Sequence, residues 1–224
     1  MKAAVSHTIM RNTNILNFSE DLKIDEKNLK LELSDFFKAV DEIKPQFGVD
    51  NDKFDIGIKE QPIDYGEMFE LINTKLDEKT YIPEDTYIQL KSVLLHGPIG
   101  SGKTTFAMNF AKRKNFPYTK IISPFNMVGL SETDKIKEIN EVFENAYKTS
   151  RACIIINNLE RLISYTSSIP SLLSFSNSVL QALMILIKKI PPNENCKLLI
   201  IGITSLDDSL ALKELEFDNT FESL

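Results

Sequence analysis

The residues best suited to chemistry lie in one stretch, Gly97-Pro98-Ile99-Gly100-Ser101-Gly102-Lys103-Thr104-Thr105. From Gly97 to Thr104 the spacing is GxxxxGK[ST], the pattern of a phosphate-binding loop. Phosphate oxygens need many close donors. Gly100 and Gly102 lack a Cβ, so the backbone can curl and aim successive N–H groups inward. Lys103 can reach the β- and γ-phosphates of a nucleoside triphosphate, and the Thr104 hydroxyl can sit on magnesium. A chance glycine-rich turn is the competing explanation. Context separates the two, because the motif demands a strand before it and a helix after it. Ser92–His96 supplies an apolar run, and a helical pattern starts near Gly102 and runs to about Lys114. That helix adds its positive end to the same point. The expected ligands are ATP and Mg2+.

The elements that must position this loop alternate. Tyr118–Ile122 reads as a short strand. Ser131-Glu132-Thr133-Asp134 starts a helix with an acidic residue three after the cap. Ile136, Ile139, Val142, Phe143, Ala146 and Tyr147 continue it at helical spacing. Ala152–Ile156 is an apolar run short enough for a buried parallel strand. A helix is expected from Ser176 to Ile190, stopped by Pro191-Pro192, and Lys197–Ile203 is the last clear strand. The pattern predicts an α/β fold with a parallel sheet flanked by helices, in which the strand 92–96 lies between 152–156 and 197–203. Ligands in such sheets sit at the carboxyl ends of the strands. Here those ends are His96-Gly97, Ser123, Asn157-Asn158 and Thr204-Ser205.

Upstream the chain offers little chemistry. A short helix is predicted for Ser34–Lys44, with Phe36, Phe37, Val40 and Ile43 on one face and Pro45 ending it. A second is predicted for Tyr65–Leu76, with Phe69, Ile72 and Leu76 together. The rest of 50–91 is acidic and loop-like, which favours a linker with small helical elements over an independent domain.

Of the 224 residues, 42% are hydrophobic and 26% charged, which suits one or two soluble domains. The net charge of −6 does not mark a nucleic-acid binder. No run of eighteen apolar residues occurs, and the N-terminus lacks the apolar core of a signal peptide. Cys153 and Cys196 have no metal-site spacing and fit a reducing compartment. The sequon Asn17-Phe18-Ser19 is discounted without a secretory signal, and a cytoplasmic location is expected.

Several segments carry a resemblance. They are Gly97–Thr104, Lys120–Pro124, Met127–Thr133, Asn158-Leu159-Glu160-Arg161-Leu162, Phe175–Leu183 and Leu199–Ser205. Together they resemble the second ATPase domain of the vesicle-fusing ATPases, the N-ethylmaleimide-sensitive factor family of AAA ATPases. Ile43–Gly48 is similar to the end of that family's first ATPase domain, and Gly66-Glu67 to its linker. The resemblance implies a P-loop NTPase of the AAA type. Residues 1–48 would be the tail of a preceding ATPase domain's small helical subdomain, 49–91 a linker, and 92–224 the nucleotide-binding core. A helical lid would follow Leu224. The implied function is that of an ATP-binding module in an ATPase that disassembles SNARE complexes. That machine is a homo-hexamer, reaches SNAREs through an adaptor, and touches secretory-pathway membranes only peripherally.

The same resemblance gives roles to single positions. The family ends its third strand with two acidic residues, one helping to hold magnesium and one polarising water. This chain has Asn157 and Asn158 there. An amide hydrogen-bonds but supplies neither charge nor a useful base, and a positioned base contributes about 10²–10⁴-fold. ATP is therefore expected to bind and to be hydrolysed poorly, holding the hexamer together. Glu160 is either a substitute base or a residue flanking a helix. Ser205 stands at the phosphate-sensing position. Met127 matches the substrate-gripping position of the pore loop, but a methionine there is more often core filler, and that reading is preferred. Arg151 and Arg161 are ring-interface arginines or merely solvated. The alternative function is an active P-loop enzyme such as a small-molecule kinase. That would need a basic lid over the phosphates, and the basic residues after Lys114 are scattered.

Overall fold

The computed structural model describes residues 5, 31–42, 66–83, 86–165, 176–206 and 209–223. The chain forms two compact units, 1–46 and 47–224. Pro45, Asn17 and residues 166–175 lie outside the described residues.

In the first unit, helix α1 covers Leu33–Glu42. Its start is tied by the Glu32 N–H, which donates to Asp35 Oδ2 at 3.1 Å. The buried positions are Asp35 and Ala39, whereas Phe36 and Phe37 are exposed. The expected inward face is therefore wrong at both phenylalanines. Asp35 and Ala39 are four apart and share a helix face that does not include Phe37.

The first described element of the second unit is α2, Glu67–Thr80. Leu76 is fully buried, and Phe69 meets Phe106 edge-to-face at 5.6 Å. Asp77 pairs with Lys114 at 2.6 Å and with Arg113 at 3.3 Å. The helix thus leans on α3, Lys103–Lys114. Next come β1 Leu90–Leu95, β2 Tyr118–Ile122, a 3-10 turn at Pro124–Met127, α4 Glu132–Ala146, β3 Arg151–Ile156 and the single-turn α5 Leu159–Leu162. The chain continues with α6 Asn177–Lys188, β4 Lys197–Ile203, α7 Ser209–Glu214, α8 Phe217–Thr220 and β5 Glu222–Ser223.

The five strands are parallel and ordered β2-β3-β4-β1-β5. This corrects one expectation: β1 lies between β4 and β5, and β3 lies between β2 and β4. Apolar strands carry the same chemistry, so their order is set by how the connecting helices cross over. Side chains alternate between two faces. Val93, Leu95, Cys153, Ile155, Leu199 and Ile201 pack on the side holding Phe110 and Ala111 of α3. Leu94, Ile154, Ile156, Leu198 and Ile200 pack with Ile139, Phe143, Leu183 and Ile187 of α4 and α6. Burial on both faces is why these strands read as unbroken apolar runs.

Local signals match the ends of the helices. The Ser131 hydroxyl caps α4 by accepting the Asp134 N–H at 3.2 Å. Ser176 caps α6 through the Val179 N–H at 3.3 Å. Ile190, expected to be the last core position of α6, lies beyond the helix and is exposed. Lys189 already has extended backbone there. The strand β4 carries Gly202 against the Phe221 ring, where an added Cβ would lie 2.9 Å from two ring carbons and 3.0 Å from Leu159 Cδ1. This close approach seats the β5 edge and α5 against the sheet.

Candidate functional site

The phosphate loop leaves β1 at Leu95 and runs into α3. Gly100 has φ 86° and Gly102 φ 79°, left-handed backbone that glycine adopts without strain. The Ser101 N–H donates to the Pro98 carbonyl at 3.4 Å, closing the turn. No side chain caps the start of α3, which leaves the positive end of that helix open to an anion. Pro98 and Ile99 are exposed and take part through their backbone, while Thr105 is half-buried on the first turn of α3.

Lys103 folds over its own loop. Its Nζ donates to the carbonyls of Gly97 and Pro98 at 2.8 and 2.7 Å and to Ser101 Oγ at 3.1 Å. These oxygens solvate the ammonium on the loop side, in hydrogen bonds strengthened by its charge. Thr104 reaches across to the exit of β3, where its hydroxyl donates to Asn157 Oδ1 at 2.9 Å. With its proton committed there, the Thr104 oxygen keeps lone pairs for a cation.

Asn157 and Asn158 follow the last residue of β3. The Asn157 N–H donates to the Ile122 carbonyl at 2.8 Å, extending the β2–β3 ladder by one residue. Asn158 has φ 51° and begins α5 without a side-chain cap. Asn and Asp enter this left-handed region more readily than other residues with a Cβ. Glu160, on the first turn of α5, turns toward the exit of β4. Its Oε2 accepts the Thr204 hydroxyl at 2.8 Å and the Ser205 N–H at 3.3 Å. Thr204 is fully buried, and its own N–H donates to the Leu95 carbonyl at 3.1 Å. The exits of β1, β3 and β4 are thus laced together. Sequence reasoning placed Asn157, Asn158, Thr204 and Ser205 at strand ends but gave Thr204 no role. The one available signal was a threonine directly after an apolar run.

Other expected positions fall elsewhere. Met127 is buried in the core, and the exposed apolar residues of its loop are Phe125, Val128 and Leu130. Its burial fits core filler rather than a gripping role. Arg151 opens β3, at the end of the sheet opposite to the loop, with its guanidinium 5.2 Å from the centre of the Phe116 ring. A cavity of about 550 Å³ also lies at that end, lined by Arg151, Lys197, Phe116 and Tyr81, and no phosphate-loop residue lines it. Cys153 and Cys196 are buried free thiols, and burial pushes both thiol pKa values up.

The loop fits a triphosphate, because it offers an open helix start, left-handed glycines and a lysine ammonium at one point. It also fits magnesium held mainly through phosphate. Among the described residues no group of three or more His, Cys, Asp or Glu could hold a metal. The Thr104 hydroxyl is the side-chain ligand offered, and magnesium keeps much of its water shell. No described helix is long and apolar enough to cross a membrane.

Comparisons with known proteins agree with this geometry. The chain is 33% identical over 225 aligned positions to a vesicle-fusing ATPase of Dictyostelium discoideum, covering 100% of this chain and 30% of the relative. It is 34% identical over 200 residues to the vesicular-fusion protein sec18 of Schizosaccharomyces pombe, covering 88% and 24%. A vesicle-fusing ATPase of Arabidopsis thaliana is 35% identical over 208 residues, covering 92% and 27%. The chain therefore spans less than a third of the length of these relatives. Residues 93–222 match the model of the ATPase family associated with various cellular activities. With that match lying over the parallel sheet, the phosphate loop and the laced strand exits, the chain belongs to the AAA family.

Proposed function

We propose that this chain is the ATP-binding AAA module of a vesicle-fusing ATPase, and that it holds nucleotide more than it hydrolyses it. The observation that carries the reading is the pairing of a complete phosphate loop with amides at the exit of β3. The Thr104 hydroxyl already lies on Asn157 at 2.9 Å, so the amide keeps the contact geometry without the charge. Bound Mg–ATP supplies the phosphoanhydride to be cleaved. Lys103 leaves its loop carbonyls to neutralise the β- and γ-phosphates, and the loop N–H groups orient them. Asn157 holds Thr104 in place. Neither amide can take a proton from water, so the step a carboxylate base would speed stays slow.

The domain reading follows from the same proposal. Residues 1–48 are the tail of a preceding ATPase domain, 49–91 a linker and 92–224 the core. The parent would assemble as a homo-hexamer, with ATP in this module bracing the ring. It would act on SNARE complexes through an adaptor in the cytoplasm, peripheral to secretory-pathway membranes. The names of the relatives support the vesicle-fusion part of this reading.

The test is calorimetry of the chain with Mg–ATP, followed by a phosphate-release assay. Saturable binding with release near background is expected. Absence of binding, or rapid turnover, overturns the reading. Size-exclusion chromatography of the parent with and without ATP tests the bracing role, which fails if its size ignores nucleotide.

A further inference from the structure

Among the described residues Glu160 is a carboxylate at the strand exits, two residues after the amides. Its Oε2 holds two donors on β4, the Thr204 hydroxyl at 2.8 Å and the Ser205 N–H at 3.3 Å. The Thr204 hydroxyl also accepts the Leu206 N–H at 3.2 Å. Thr204 is fully buried, so its hydroxyl cannot turn to water if the carboxylate is lost. The Thr204 N–H goes to Leu95, two residues before Gly97. From there the path is continuous. The phosphate loop meets β4 at Leu95–Thr204, β4 meets α5 at Thr204–Glu160, α5 follows directly on Asn158, and Asn157 meets Thr104 on α3. A carboxylate bonded to two donors on the next strand is committed by those bonds, which suits a brace better than a base.

We propose that Glu160 is a positioning residue: it fixes the backbone of Thr204-Ser205 beside the phosphate loop and thereby sets the preference of the site for ATP over ADP. This rests on the nucleotide reading above and names what tunes the same site. The physical ground is local. Ser205 follows the final ladder bond of β4, so nothing in the sheet itself holds it. The Glu160 carboxylate does, through the Ser205 N–H and the hydroxyl of its buried neighbour. A γ-phosphate contact made from Ser205 needs that hold, whereas the α- and β-phosphates are held by the loop and Lys103.

The experiment measures affinities of the full chain for Mg–ATP and Mg–ADP by calorimetry, in the wild type, Glu160→Ala, Glu160→Gln, Thr204→Val, Ser205→Ala and the double variant Glu160→Ala/Ser205→Ala. The ATP:ADP preference should fall about tenfold in Glu160→Ala and in Ser205→Ala. The double variant should fall no further, because the two act through one contact. ADP affinity should change less than about threefold. Gln keeps an acceptor oxygen, so Glu160→Gln should restore the preference to within about threefold of wild type. An unaltered preference in Glu160→Ala, additive losses in the double variant, or a preference in Glu160→Gln as low as in Glu160→Ala would each overturn the proposal. If Glu160→Ala does not fold, Thr204→Val carries the test, since it removes the hydroxyl and keeps the shape. A wild type that binds neither nucleotide refutes the nucleotide reading; one that binds both with no response to these variants refutes only the role of Glu160.

Discussion

On the β1 side of the site, Gly100 and Gly102 hold left-handed backbone, Lys103 lies over the loop, and α3 starts uncapped. On the β3 side, Asn157 and Asn158 occupy the strand exit where the resembling family places acids, and Glu160 is drawn away to β4. The first side is complete for holding phosphate. In the proposed reading, the second keeps the shape of a hydrolytic site without its charge. Binding draws on backbone donors and one cation, which survive changes at the exit of β3. Water activation needs a group that can accept a proton, and amides have almost the outline of carboxylates without that ability. A site can therefore lose turnover by isosteric changes while its geometry persists.

The largest expected effect breaks the contrast directly. Asn157→Asp with Asn158→Asp should raise ATPase activity by about 10²–10³-fold. Aspartate suits position 158 better than glutamate, because the backbone there is left-handed at φ 51°. In the proposed hexameric parent, the measurement is made with any other ATPase site disabled. An unmodified site that hydrolyses as fast as the double variant would show that the amides are no handicap.

Removing the cation attacks the other side. Lys103→Ala should weaken Mg–ATP binding by at least about a hundredfold, since neutral backbone donors do not replace a charge-assisted contact to phosphate. Unchanged affinity by calorimetry would mean that the loop is not the site.

Gly202→Val probes the packing behind the β3 side. The new side chain would collide with the Phe221 ring and Leu159, which lie within 3.0 Å of an added Cβ. Overpacking of this kind costs about 1–3 kcal/mol. Chemical denaturation should show that loss. ADP binding in native buffer should persist, because the atoms an added Cβ would meet belong to Phe221 and Leu159, not to the phosphate loop. Loss of ADP binding in a folded variant would show that the two sides are not separable.

The smallest effect lies outside both sides. Ser131→Ala should cost about 1 kcal/mol through the α4 cap and leave nucleotide affinity unchanged. The Ser131 hydroxyl, and beside it Lys137, hold the Asp134 carboxyl below its ordinary value of 3.8. A carboxyl with a depressed folded pKa stabilises the fold above 3.8 and loses that contribution as pH falls through the lower folded value. Melting temperatures of wild type and Asp134→Asn should therefore differ near neutrality and converge in acid. Equal values at pH 7 would remove Asp134 from the account.

What the chain's order of residues determined alone was local. The phosphate loop was legible because its glycines, lysine and threonine are adjacent, and contacts among near neighbours need no knowledge of the fold. β4 was legible because a strand buried on both faces reads as a near-continuous apolar run, and β2 matched its expected bounds although Thr119 and Lys120 interrupt it. The Ser131 cap was legible for the same local reason. The tertiary structure decided everything that depends on partners far along the chain. It put β1 between β4 and β5, since similar apolar runs do not say which pairs with which. It buried Met127 and left Phe125 and Val128 outside, because residue type alone does not orient a short 3-10 turn. It turned Glu160 toward Thr204, 44 residues away. Nothing in the neighbourhood of Glu160 announces that bond, because a carboxylate's partner is chosen by the distance at which folding delivers a donor.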